Sequence, residues 1–267
     1  MTRFAAPLLS ALLSLLLGAC ATAPVGVAQD AAAARPYADR APASPAEASA
    51  KVHVDLGTAY LQVGRYDVAL DEAAIALEDS PSYAPAFHLR ALVYMMVGDE
   101  AKAEENFRRA LAQAPGEPEF NNSFGWFLCI QGRETEGLER LALAARNPYY
   151  RTPAYPLSNA GLCYLRLGDT AAAVTHFQRA VEADPGNAVA LFNLADIAYR
   201  QGDFVTARTH LIRLHQQSEP TAESAWLGLR TERRLGNTEA EASYAAQLRS
   251  RFASSPQYQL MLQGKYE

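Results

Sequence analysis

The feature that most constrains this chain is a spacing. Glycines recur at Gly64, Gly98, Gly132, Gly168 and Gly202, and less regularly at Gly236, with 34 residues between neighbours except for 36 between Gly132 and Gly168. Seven positions ahead of the first five stand small residues, Gly57, Ala91, Gly125, Gly161 and Ala195, followed three later by Tyr60, Tyr94, Leu128, Tyr164 and Ala198. Five positions after the same five turn glycines come Ala69, Ala103, Gly137, Ala173 and Ala207, with the bulky Phe107, Leu141, Phe177 and Leu211 one turn further on. Pro81, Pro115, Pro185 and, shifted by one, Pro220 end units. Small residues let two antiparallel helices approach closely, large ones fill the gaps, and glycine and proline stop the helices where the chain must turn.

A helix-turn-helix unit of this length matches the tetratricopeptide repeat (TPR). Five units read clearly, at 50–83, 84–117, 118–151, 154–187 and 188–221, and a degenerate sixth at 222–255 is expected to cap the array. The segment Asn147-Pro148-Tyr149-Tyr150-Arg151-Thr152-Pro153 holds the two extra residues. One helix pair cannot hide its apolar face, so the units must stack. The hydrophobic content of 49% comes largely from alanine, and alternating Val/Ile/Thr runs are absent. The expected fold is all-α: a right-handed TPR superhelical solenoid over residues 49–267.

Ahead of the repeats lies a leader. Arg3 precedes an apolar run over residues 4–17, which is too short for the roughly 20 residues of a spanning helix. It ends in Leu17-Gly18-Ala19-Cys20, which resembles the bacterial lipobox. That resemblance implies a lipoprotein signal peptide over 1–19, removed before Cys20, with diacylglycerol on the Cys20 thiol and an acyl chain on its new amino group. Several acyl chains make such an anchor stable. Ala21 stands where inner-membrane retention signals place Asp, so the periplasmic face of the outer membrane is expected. Residues 20–48 are Ala/Pro-rich (Pro24, Pro36, Pro42, Pro45) and read as a flexible tether.

The formal charge of −5, without a basic stripe, is a poor match to a phosphate backbone, so no nucleic acid is expected. His53, His88, His176, His210 and His215 are scattered over the repeats. His210 and His215 stand about 140° apart around a helix, a poor chelating pair. No Gly-x-Ser-x-Gly, phosphate-cradling loop or HExxH occurs. The chain reads as a non-enzyme with no metal, no cofactor beyond the lipid on Cys20, and no small-molecule substrate. Cys129 and Cys163 lie in the first helices of adjacent units. Either they form an inter-repeat disulfide in an oxidising compartment, or they are two buried thiols packing as small apolar groups.

A TPR array lines its inner groove mainly with positions 2, 5, 9, 12 and 13 of each first helix. The second unit offers His88, Leu92, Met95 and Met96; the third, Asn122, Trp126 and Ile130. The fourth offers Tyr155, Leu162, Leu165 and Arg166; the fifth, Phe192, Asp196, Tyr199 and Arg200. This largely apolar set suits a protein ligand.

Three blocks go beyond the generic repeat: Asn121-Asn122-Ser123-Phe124-Gly125-Trp126-Phe127-Leu128-Cys129, Asn159-Ala160-Gly161-Leu162-Cys163 and Trp226-Leu227-Gly228-Leu229-Arg230. They resemble the PilF/PilW family of type IV pilus biogenesis lipoproteins over most of residues 50–260. The resemblance implies a pilotin, an outer-membrane TPR lipoprotein that helps the pilus secretin reach the outer membrane and assemble. The alternative is a generic periplasmic TPR adaptor lipoprotein that organises cell-wall or outer-membrane assembly proteins.

Overall fold

In the computed structural model, residues 35–267 are described. The leader, Cys20 and tether residues 21–34 lie outside them. Six antiparallel helix pairs follow one another: α1 (Pro45–Gln62) with α2 (Tyr66–Asp79), α3 (Ala84–Val97) with α4 (Glu100–Gln113), and α5 (Pro118–Ile130) with α6 (Glu134–Arg146). Then come α7 (Ala154–Arg166) with α8 (Thr170–Ala183), α9 (Ala188–Arg200) with α10 (Phe204–Gln217), and α11 (Ala222–Leu235) with α12 (Thr238–Arg251); α13 (Pro256–Leu262) closes the chain. Strands are absent among the described residues. Each first helix packs on its own second helix and on the first helix of the next unit, which makes a solenoid.

A two-residue device builds most of the tight turns. Gly98 and Gly202 adopt φ of 79° and 82°, conformations that carry little penalty only without a Cβ, and so end their first helices. The next residue caps the second helix: Asp99 accepts from Lys102 N (3.2 Å) and Asp203 from Thr206 N (3.0 Å), as Asp169 and Asn237 do in their own units. Within a pair the small residues are sterically required. A Cβ on Gly125 would stand 2.9 Å from the Gly137 carbonyl oxygen, and one on Gly137 would stand 2.6 Å from that of Gly125.

Two features differ from the sequence expectation. The tether ends earlier than residue 48: Ser44 caps α1 by accepting from Glu47 N (3.1 Å), Glu47 reaches back to Ala43 N (2.8 Å), and Pro45 opens the helix. Ser-Pro-Ala-Glu has the capping-box pattern, with Glu47 reaching one residue beyond the cap to Ala43 and proline at the first helical position, a signal that outweighs the Ala/Pro composition around it. The sixth unit, faint in sequence, is a regular pair in which Gly228 packs against the Tyr244 ring. The outermost element is α13, followed by Tyr266 stacked on Trp226 at 5.6 Å. The two extra residues between units three and four bring Tyr150 into the protein, where its hydroxyl donates to Glu119 Oε2 (2.6 Å).

Candidate functional site

The first-helix face divides into a seam, a covered end and an open end. The seam joins α5 to α7. Cys129 and Cys163 are bonded, with Cα atoms 5.6 Å apart, so the geometry takes the disulfide of the two readings left open above. Around the bond, Arg166 Nε donates to the Cys129 carbonyl (2.8 Å) and Asn159 Nδ2 donates to Asn122 Oδ1 (2.9 Å). Asn121 Nδ2 donates to the carbonyls of Pro115 and Glu117 (2.8 and 2.9 Å), fixing the entry into α5. The two cysteines, together with Asn122 and Asn159, thus hold units three and four in one geometry. Asn122 and Arg166, read as groove residues, are partnered within the chain.

The remaining groove residues separate by exposure. Met96 (56% exposed), Tyr155 (54%), Ile130 and Arg200 reach solvent. Leu92, Met95, Trp126, Leu162, Leu165, Phe192, Asp196 and Tyr199 are half-buried, the apolar ones with one side on the core. They offer an apolar surface already ordered by packing, which lowers the entropy cost of holding a partner. His88 corrects the sequence reading. It is only 8% exposed, its ring lies 4.6 Å from that of Phe120, and burial lowers its pKa to about 3. The large neighbours Phe107 and Phe120 close over a position that faces solvent in an average repeat.

The covered end lies beside units one to three. Tyr37, in a short 3-10 turn (Tyr37–Asp39), meets Tyr83 edge-on at 5.9 Å and stacks on Phe120 at 6.0 Å. Its N–H donates to Glu117 Oε2 (3.0 Å). Glu117 is 2% exposed, and burial pushes its pKa up to about 7 against the hydrogen bond from Tyr37. A cavity of about 290 Å³ under Tyr37 reaches Leu92 and the floor formed by His88. Composition hid this contact; the single aromatic in an Ala/Pro stretch was the available signal.

The open end belongs to units five and six. A cavity of about 490 Å³ is walled by Arg200, Arg230, Arg233 and Arg234, with Tyr199, Phe204 and Tyr266 between them. Arg230, Arg233 and Arg234 occupy positions 9, 12 and 13 of the sixth first helix, so the positional rule finds them once that unit is counted. Among the described residues no group of three His, Cys, Asp or Glu side chains could hold a metal ion, and no helix is long and apolar enough to cross a membrane.

A family profile described as tetratricopeptide repeat matches residues 54–118 and 159–223. The type IV pilus assembly protein PilF of Pseudomonas aeruginosa is 29% identical over 207 residues, covering 78% of this chain and 82% of that protein. The crystal structure of PilW, a widely conserved type IV pilus biogenesis factor, superposes with TM-score 0.71 at 29% identity over 80% of this chain and 98% of that one. The structure of Pseudomonas aeruginosa PilF gives TM-score 0.74 at 27% identity over 83% and 100%. Repeats, packing and matches define a tetratricopeptide-repeat solenoid, a class of protein-binding scaffold. Within that class the chain is similar to the PilF/PilW type over most of its repeat domain.

Proposed function

We propose that this protein is a lipid-anchored pilotin of the outer membrane, which holds a subunit of the type IV pilus secretin on its first-helix face and assists its delivery and assembly. The observation that carries the reading is the pairing of a half-buried apolar face with a covalent seam at its middle, in a chain whose relatives are pilus assembly and biogenesis proteins. A pinned array presents its docking side chains in one arrangement, so little conformational freedom is lost when a partner binds. The lipobox supports acylation of Cys20 and the residue after it supports the outer membrane. Confining both scaffold and secretin subunits to one membrane raises their effective concentration for ring formation. Cys20→Ser is expected to leave the repeat domain folded while secretin multimers fall in abundance and move away from the outer membrane. Trp126→Ala is expected to weaken secretin capture by the anchored chain. Normal rings in the outer membrane with Cys20→Ser would overturn the anchoring role, and secretin capture unaffected by Trp126→Ala would remove the groove from it.

A further inference from the structure

The arginine-walled cavity at the open end is out of character with the chain around it. The protein carries a formal charge of −5, yet four guanidinium groups line one recess against a single acid, Glu267. Two of the four are committed elsewhere: Arg200 pairs with Asp196 (2.7 Å) and Arg233 with Glu241 (2.8 Å). Arg230 and Arg234 form no ion pair among the described residues. The Nε of Arg230 is buried and donates to nothing there. Instead they lie over aromatic rings, Arg230 at 4.7 Å from the Tyr199 centroid and Arg234 at 4.6 Å from that of Phe204. Stacking fixes the plane of a guanidinium and leaves its N–H edge free, the orientation that receives a carboxylate through two parallel hydrogen bonds.

We infer that this recess is a docking site for the acidic side chains of an extended segment of a protein partner. The inference rests on the groove reading above, because Tyr199, Arg200, Arg230, Arg233 and Arg234 all occupy groove positions and the recess continues the apolar face. A segment lying along that face would reach the arginines with its acidic end. Carboxylate is favoured over a lipid phosphate on two grounds. Guanidiniums of this same recess already hold carboxylates of the chain. The cavity also lies between the ends of two first helices and the Tyr266 stretch of the tail, a concave recess rather than a flat basic face.

The test uses the full-length acylated chain in detergent and two fluorescein-labelled peptides, Tyr-Glu-Glu-Glu-Glu and Tyr-Gln-Gln-Gln-Gln, read by anisotropy. The glutamate peptide is expected to bind at least tenfold more tightly than the glutamine peptide at low ionic strength, with the gap narrowing as salt rises. Arg230→Gln with Arg234→Gln is expected to abolish the gap. Arg234→Gln alone alters an exposed side chain, is expected to leave the thermal midpoint unchanged, and should cost about half of the effect in logarithmic units. Equal affinities for the two peptides, or an unchanged gap in the double variant, overturn the inference. Displacement of the glutamate peptide by monomeric dihexanoyl-phosphatidylglycerol at equal or lower concentration overturns it in favour of a lipid headgroup. No secretin is present in this assay, so failure of secretin capture with peptide discrimination intact refutes the pilotin reading alone. The reverse result refutes the arginine site alone.

Discussion

The two ends of the first-helix face are each overlaid by a tyrosine, with opposite electrostatics. At the carboxyl end α13 closes the outward face that a terminal repeat leaves without a neighbour, whereas the amino-terminal strap lies over the first helices of units one to three. At the amino end the cover is Tyr37, laid on Tyr83 and Phe120, with Arg40 4.5 Å from its ring and Asp39 paired to Arg151. At the carboxyl end it is α13 and Tyr266, laid on Trp226, with Arg233 4.1 Å from the tyrosine ring. Aromatic on aromatic with a guanidinium above is common to both. The amino end buries an acid, Glu117, whereas the carboxyl end leaves arginines open to solvent. Covering an end of this face therefore constrains shape and apolar area, while charge at each end stays available for a separate use.

The comparison can be broken most severely at the carboxyl cap. Trp226→Ala removes a side chain that is 6% exposed and anchors both Tyr266 and the cluster around Leu229 and Leu248, so a loss of about 3–5 kcal/mol is expected in denaturant unfolding. Next comes the seam that separates the ends. Replacing Cys129 and Cys163 together by Ala opens a link between residues 34 apart and is expected to cost about 2–4 kcal/mol. Limited proteolysis should then cut between units three and four before it cuts elsewhere.

Glu117 sharpens the contrast through pH. Its folded pKa of about 7 lies above the ordinary value of 4.5, so its carboxyl stays protonated in the folded protein while the unfolded chain has already lost the proton. Its contribution is fully present below pH 4.5 and is lost as pH rises through 7. Unfolding free energies of the parent and Glu117→Gln, each taken at pH 5 and pH 8, should show the parent losing about 2–3 kcal/mol more across that window. A parallel pair of pH profiles would mean that the acid is not held as described. The smallest effect is expected from Asp39→Asn: its partner Arg151 is 80% exposed, and such surface pairs contribute below about 1 kcal/mol. A thermal midpoint moved by more than a few degrees would mark the Asp39 pair as a main anchor of the amino-terminal strap.

Legibility followed the range of the interactions. The repeat register was readable because its marks, such as Gly98 with Asp99 or Gly125 with Gly137, act within one helix pair and recur. The Ser44 to Glu47 cap was equally local and lay in plain view, masked by surrounding alanine and proline. Tyr37 was not readable as a cover, since its hydrogen-bond partner Glu117 is 80 residues away. The burial of His88 depended on two phenylalanines from different helices, Phe107 and Phe120. The cysteines showed their adjacency by repeat position, and only the approach of α5 to α7 chose between a bond and two thiols. Asn122 and Asn159 looked like groove or motif residues until that same approach paired them.

By itself, then, the amino-acid sequence determined the helical class, the unit length, the number of repeats and the turns between them. Each of these follows from contacts made inside 34 residues and repeated until chance agreement is excluded. Tertiary structure alone decided which acid is buried under the amino-terminal strap, which groove side chains are free, and that the middle is covalently pinned. Those outcomes depend on how successive units are rotated against one another, a quantity summed over many interfaces that no single stretch of the chain encodes.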